Sequence, residues 1–128
     1  MLNPRVEQDN LGTMACFHRR YLLGDRCGLS VEQAREIERR CEVDGTAALV
    51  VPLYLYDHSG LRISTKPFKC PFDSGRIGII YATYNDIRRK YGKKRISKKV
   101  LEQARLRLFA EVEEYDFYLR RDEEGAEV

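Results

Sequence analysis

The run from Ala47 to Tyr84 constrains the fold more than any other part of the chain, because β-branched and aromatic residues are concentrated in it. Within this run, Leu49 to Tyr56 is almost continuously apolar, which predicts a buried strand, and Gly78 to Thr83 predicts another. Leu61 to Thr65 alternates apolar and polar residues, which is typical of a half-buried strand. The middle of the chain is therefore predicted to form a sheet.

Two similar turn sequences flank these strands. The residues DHSG at 57–60 predict a hairpin tip, because Asp and Gly tolerate positive φ and Asp and Ser side chains bond nearby backbone. The residues DSG at 73–75 repeat the pattern. If both turns lie at one end of the sheet, their carboxylates, hydroxyls and N–H groups suit a polar ligand such as a nucleotide. The alternative is that both are structural turns. The candidate ligand-binding residues are Asp57, His58, Ser59, Gly60, Asp73, Ser74 and Gly75.

Capping signals predict the helices. Ser30 and Gln33 form a capping-box pattern, which predicts a helix from Val31 to about Glu42, ended by Asp44–Gly45. Thr83 or Asn85 is expected to cap a short helix that continues to Tyr91 and stops at Gly92.

A long last helix is expected after Ser97, which is a suitable N-cap. It is predicted to span about six turns. Its apolar residues recur at three- and four-residue steps and so share one face. They are Val100, Leu101, Ala104, Leu108, Val112, Tyr115 and Leu119.

These elements predict a single α+β domain over residues 1–120, with a small, mainly antiparallel sheet of about four strands. The long C-terminal helix and two shorter helices are expected to cover the sheet. Residues 1–11 are predicted to be an extended, polar lead-in, and Leu11 to His18 a first strand. The acidic residues 121–128 are expected to fray.

Cysteine usage and the N-terminal sequence predict a cytoplasmic protein. The opening residues MLNPRVEQDN contain charges and a proline where a signal peptide needs an apolar segment. The longest apolar run is far shorter than the roughly 20 residues that span a bilayer, so no membrane partner is expected. The four cysteines form no CxxC pair, which favours reduced thiols.

Four segments are distinctive in combination. They are NLGTMACFHRRYLLGD at 10–25, YLYDHSG at 54–60, PFKCPFDSGRIGIIY at 67–81 and KKRISKKV at 93–100. Together they resemble a family of small proteins encoded mainly by phages, prophages and other mobile elements of bacteria and archaea. The family has no established activity. The resemblance implies a phage or mobile-element setting in the host cytoplasm and, from that setting, a role in counter-defence.

A basic run lies between the two predicted C-terminal helices. The residues RRKYGKKRISKK at 88–99 include eight cations, and Tyr84 and Tyr91 are interleaved with them. Such a run can track phosphates while its tyrosines stack on bases. The alternative is a solvated surface without a partner. The candidate nucleic-acid-binding residues are Arg88, Arg89, Lys90, Lys93, Lys94, Arg95, Lys98 and Lys99.

A catalytic site is a weaker hypothesis. His18 and His58 are the only histidines in the sequence. If the ends of their strands meet, they would form an acid–base group with Asp57 and Asp73.

A zinc site built from Cys16, His18, His58 and Cys70 is also conceivable. However, Cys16 and His18 are separated by one residue, whereas paired zinc ligands favour longer spacings. We therefore predict no metal and no other cofactor.

The sequence as a whole favours a non-catalytic α+β binding protein. Its expected partner is a host protein, a nucleotide or a nucleic acid, and a homo-oligomer is compatible with the sequence. Two alternatives stay open. One is a nucleic-acid-binding accessory protein that uses residues 88–99, and the other is a small His/Asp enzyme.

Overall fold

The order of helices and strands agrees with the predicted α+β class. The computed structural model describes residues 2–18, 21–70 and 74–126, with backbone alone for 121–126. Within these residues the elements are α1 (Pro4–Glu7), β1 (Thr13–Cys16), α2 (Val31–Glu42), β2 (Ala47–Asp57), β3 (Leu61–Ser64), β4 (Ser74–Thr83), α3 (Tyr84–Tyr91) and α4 (Lys98–Ala126).

The described strands form one antiparallel sheet in the order β1-β4-β2-β3. β2 is its longest strand and pairs with β4 on one side and β3 on the other. Burial alternates along β2. Four alternate residues lie in the larger core, and the residues between them are half-buried. The four are Leu49, Val51, Leu53 and Leu55. β2 therefore has apolar residues on both faces of the sheet, but one face is more deeply buried than the other.

α4 covers one face of the sheet. Its Ala104, Leu108 and Val112 are buried in one core with β2 residues such as Leu53, which is fully buried. The predicted apolar stripe is confirmed. The helix is 29 residues long, which exceeds the expected six or so turns.

α2 covers part of the opposite face, where a smaller core joins Cys41 to Ala15 and Ile79. The bounds of α2 agree with the prediction. The Ser30 hydroxyl accepts a hydrogen bond from the Gln33 N–H at 3.1 Å, and the Ser30 N–H donates to the Gln33 side chain at 2.9 Å. This capping box starts the helix at the residue that the sequence indicated.

β4 begins four residues before the predicted strand start at Gly78. Gly78 lies inside the strand with φ of 155°, and a Cβ there would collide with the carbonyl oxygen of Ala15. The register with β2 shifts next to it, between Leu53 and Tyr54. A glycine is therefore required where the strand is irregular and the neighbouring backbone is close.

The N-terminal segment contains a short helix, so the prediction of an extended lead-in was wrong there. Pro4 occupies the first helical turn, and the Asn3 side chain accepts a hydrogen bond from the Arg5 N–H at 2.9 Å. Four residues are too few to produce a hydrophobic periodicity, and only the Asn-Pro capping signal marks the helix in the sequence.

Side-chain carboxylates cap the two edge strands of the described sheet. On β1, the Met14 N–H donates to the Asp25 carboxylate at 2.8 Å. On β3, the Ile63 N–H donates to the Asp116 carboxylate at 2.9 Å. Unpaired edge groups are templates for strand addition, and these two carboxylates remove one such donor from each edge.

Candidate functional site

The hairpin between β2 and β3 confirms the first predicted turn. Asp57 pairs with Leu61, and the His58 N–H donates to the Gly60 carbonyl oxygen at 3.1 Å. Ser59 has a positive φ of 54°, and the His58 ring lies 6.1 Å from the Tyr56 ring. The turn is therefore a compact hairpin tip that projects from one end of the sheet.

The second sequence pattern lies at the same end of the sheet but is not a turn in its described part. Ser74 pairs with Tyr56 and Gly75 with Leu55, so both are residues of β4. Asp73 lies outside the described residues. Because β4 runs antiparallel to β2, the start of β4 lies beside the end of β2. The structure thus brings Ser74 and Gly75 close to the 57–60 hairpin.

The two histidines follow strands that are not neighbours, since β4 separates β1 from β2. The Phe17 N–H donates to the Ile77 carbonyl oxygen at 2.8 Å, which places His18 at the same end of the sheet. The Nδ1 atom of His18 accepts from the Tyr21 N–H at 3.4 Å, and the two rings are 4.9 Å apart. His18 is thus engaged by its own loop.

The hypothetical zinc ligands are not assembled. Among the described residues, no group of three His, Cys, Asp or Glu side chains could hold a metal ion. Cys16 is buried in the core beneath α4. Burial, with a smaller contribution from the nearby Asp25 charge, raises the pKa of the Cys16 thiol to about 12. This side chain is a neutral core residue at physiological pH.

A buried ionic cluster joins the N-terminal segment to α4, and the sequence analysis missed it. Arg5, whose side chain is 1% exposed, makes a two-point contact with Asp25 at 3.1 and 2.6 Å. Its Nη1 donates to the fully buried Glu111 at 3.0 Å. Burial lowers the pKa of Arg5, but its hydrogen bonds and charge contacts with the two carboxylates outweigh this, so the pKa is raised.

The Glu111 carboxylate also accepts from the backbone just before β1. It receives the Leu11 N–H at 2.8 Å and the Gly12 N–H at 3.1 Å, together with Arg107 Nε at 3.0 Å. Because its hydrogen bonds are made inside the protein, we interpret the cluster as a structural clamp. One signal for it exists in the sequence. Glu111 lies three residues after Leu108 and four before Tyr115, on the apolar side of α4.

The cations of the basic run are exposed, and we call them together the basic surface. Its eight cations are all exposed and lie on the second half of α3, the connecting loop and the first turn of α4. Gly92, with φ of 63°, ends α3, and the Ser97 hydroxyl accepts from the Val100 N–H at 3.2 Å to begin α4. Two local stop and start signals therefore present the loop to solvent.

Among the described residues, most of this charge has no acidic partner. Arg89 contacts Asp86 at 3.1 Å, and Lys90 lies 3.8 Å from the highly exposed Asp9. The other five side chains in the loop and the first turn of α4 make no ion pair or hydrogen bond with the described residues. These five are Lys93, Lys94, Arg95, Lys98 and Lys99.

The two tyrosines of this region differ in their surroundings. Tyr91 is half-buried and packs against the larger core, and burial raises the pKa of its hydroxyl. Tyr84 is 45% exposed, and the Arg88 guanidinium carbon lies 6.0 Å from its ring centroid. Tyr84 alone of the pair therefore presents an aromatic surface beside the cations.

Comparison with known proteins yields no relative from which a role could be transferred. No family model, no curated protein and no solved structure matches the chain. Of the helices in the described part of the chain, none is both long and apolar enough to cross a membrane.

Proposed function

We propose that this chain is a non-catalytic binding protein of a phage or mobile element, and that it binds nucleic acid through the basic surface. The observation that carries the proposal is the group of five exposed cations that have no ion pair with the described residues. Cations that serve only solubility are commonly paired or interspersed with acids. Here they are adjacent along one loop and one helix start.

The electrostatics favour a polyanion. Each phosphate that a Lys or Arg neutralises releases condensed counterions, so affinity falls steeply as salt rises. If about five cations contact phosphates, the slope of log K against log salt should be roughly −3 to −5. The start of α4 adds backbone N–H groups and a helix dipole of the sign that attracts phosphate.

The arrangement at the sheet end gives less support to the enzyme alternative. His18 and His58 follow non-adjacent strands, and His18 accepts a hydrogen bond from its own loop. The mobile-element setting rests on the sequence resemblance. Interference with host defence is the biological role that we propose for such a binder, through a host nucleic acid or a host complex that contains one.

Fluorescence anisotropy with labelled oligonucleotides tests the proposal. The double variant Lys93→Glu with Lys94→Glu reverses two charges of the basic surface, and Lys66→Glu with Lys69→Glu reverses two exposed charges elsewhere. Both variants change the net charge equally. We expect the first to lose at least about tenfold in affinity and the second to stay within about twofold.

Two results would overturn the proposal. One is wild-type protein that binds no oligonucleotide at low salt. The other is an equal loss of affinity in both double variants, which would show that net charge alone attracts the probe. Circular dichroism of each variant ensures that a loss of binding does not reflect unfolding.

A further inference from the structure

Tyr84 is the most exposed tyrosine near the basic surface, and its position is held by local structure. It is the first residue of α3 and follows Thr83, whose hydroxyl accepts from the Asp86 N–H at 3.0 Å. The Asp86 carboxylate in turn accepts from the Thr83 N–H at 3.0 Å. This capping box fixes the helix start and with it the backbone position of Tyr84.

Arg88 connects the Tyr84 ring to the loop between α3 and α4. Its guanidinium lies 6.0 Å from the ring centroid, and its Nε donates to the Lys94 carbonyl oxygen at 3.0 Å. Its Nη1 donates to the Asn85 side chain at 3.1 Å, which further orients the group. A single side chain thus contacts both the aromatic ring and the loop that carries Lys93, Lys94 and Arg95.

We propose that the basic surface is specific for single-stranded nucleic acid, with one base stacked on Tyr84 and the flanking phosphates on the loop cations. This inference rests on the proposed function and adds the class of nucleic acid. In a duplex the faces of the bases are already stacked on each other, so an exposed ring gains little. In a single strand these faces are available, and base–aromatic stacking tolerates any sequence.

The packing of the protein also favours this role for Tyr84. Tyr91 is one of the aromatic residues packed against the larger core, and Tyr84 belongs to neither core. Tyr84 remains 45% exposed beside cations that have no acidic partner in the described structure. The combination of a cationic groove and an aromatic platform is the usual basis of single-strand binding.

The test compares Tyr84→Ala and Tyr84→Phe on two probes, an oligothymidylate of about 20 nucleotides and a mixed-sequence duplex of the same length. Phe117→Ala is the matched control, because Phe117 is also exposed, at 47%, but lies on α4 away from the basic surface. We expect Tyr84→Ala to weaken single-strand binding by about 5- to 100-fold. Tyr84→Phe and Phe117→Ala should stay within about threefold of the wild type, since both keep the ring at position 84.

The outcomes separate this inference from the proposed function. If Tyr84→Ala binds the single strand like the wild type while Lys93→Glu with Lys94→Glu does not, the stacking role is wrong and the basic surface stands. Tighter binding of the duplex than of the single strand also overturns the single-strand assignment. If wild-type protein binds neither probe, or binds only an acidic polypeptide such as polyglutamate, both proposals fail.

Discussion

The carboxylate of Glu111 provides a direct test of how α4 is fastened to the N-terminal segment. Its Oε1 accepts from Arg5 Nη1 at 3.0 Å and from the Gly12 N–H at 3.1 Å. Its Oε2 accepts from the Leu11 N–H at 2.8 Å and from Arg107 Nε at 3.0 Å. The substitution Glu111→Gln keeps the shape of the side chain. It also places an NH₂ group against two donors, whichever way the amide is turned.

The magnitude follows from what the amide leaves unpaired. Either orientation sets one backbone N–H and one guanidinium N–H against another donor, and an unsatisfied buried donor costs about 1–3 kcal/mol. Removing one partner of a buried ion pair costs about 3–5 kcal/mol in measured cases. We therefore expect Glu111→Gln to lower the free energy of unfolding by about 3–5 kcal/mol. With a urea m-value of about 2 kcal/mol/M, the midpoint should fall by roughly 2 M.

Urea unfolding followed by far-UV circular dichroism measures the effect, since the chain contains no tryptophan. Glu113→Gln is the control, because Glu113 is an exposed residue of the same helix. It should change stability by no more than about 0.5 kcal/mol. Arg5→Met should lower the free energy of unfolding by less in the Glu111→Gln background than in the wild type, because both changes remove the same contact. A Glu111→Gln midpoint equal to that of Glu113→Gln would refute the clamp.

Three further outcomes are expected. Leu108→Ala should lower the free energy of unfolding by about 2–5 kcal/mol, because Leu108 is fully buried under the sheet. Leu106→Ala, at a position 58% exposed, should lower it by about 0.5 kcal/mol or less. Equal urea midpoints of the two variants would show that the buried face of α4 is misassigned. Gly78→Ala should lower the melting temperature, because the added Cβ would meet backbone at a φ that alanine disfavours. An unchanged melting temperature would contradict the close approach of the Ala15 backbone to Gly78. In thiol labelling at pH 8, the exposed Cys27 should react rapidly. The buried Cys16, whose pKa is raised to about 12, should react only after unfolding. Rapid labelling of Cys16 in a Cys27→Ser variant would contradict its burial.

Local signals in the sequence predicted local structure well. The Ser30 and Gln33 capping box predicted the start of α2, and the following Asp44–Gly45 stop signal predicted its end, because both signals lie next to the helix. The apolar stripe of α4 predicted which side chains are buried, because helical periodicity is a property of the segment itself. The strand runs predicted the sheet, but not the order β1-β4-β2-β3, which depends on pairings between distant segments.

Long-range contacts account for most of what the sequence could not indicate. Glu111 bonds backbone 99 and 100 residues earlier in the chain, and no spacing rule connects those positions. In the candidate site, the exposure of the basic run was predictable from its composition. The sequence did not predict that Tyr91 is more buried than Tyr84. By their spacing, Tyr84, Ile87 and Tyr91 share one helical face, and only the packing of the core determines which ring is buried.

The capping of β3 by α4 has a consequence for synthesis on the ribosome. Ile63 and the Asp116 carboxylate that receives its N–H are 53 residues apart. At about 5–20 residues per second, the strand therefore exists for roughly 3–10 seconds before its cap is made. The Leu11 N–H, just before β1, gains its partner still later, because Glu111 follows it by 100 residues. A nascent chain of this protein therefore carries an unfinished sheet until its last helix emerges, which makes that interval the time when a chaperone would be most useful.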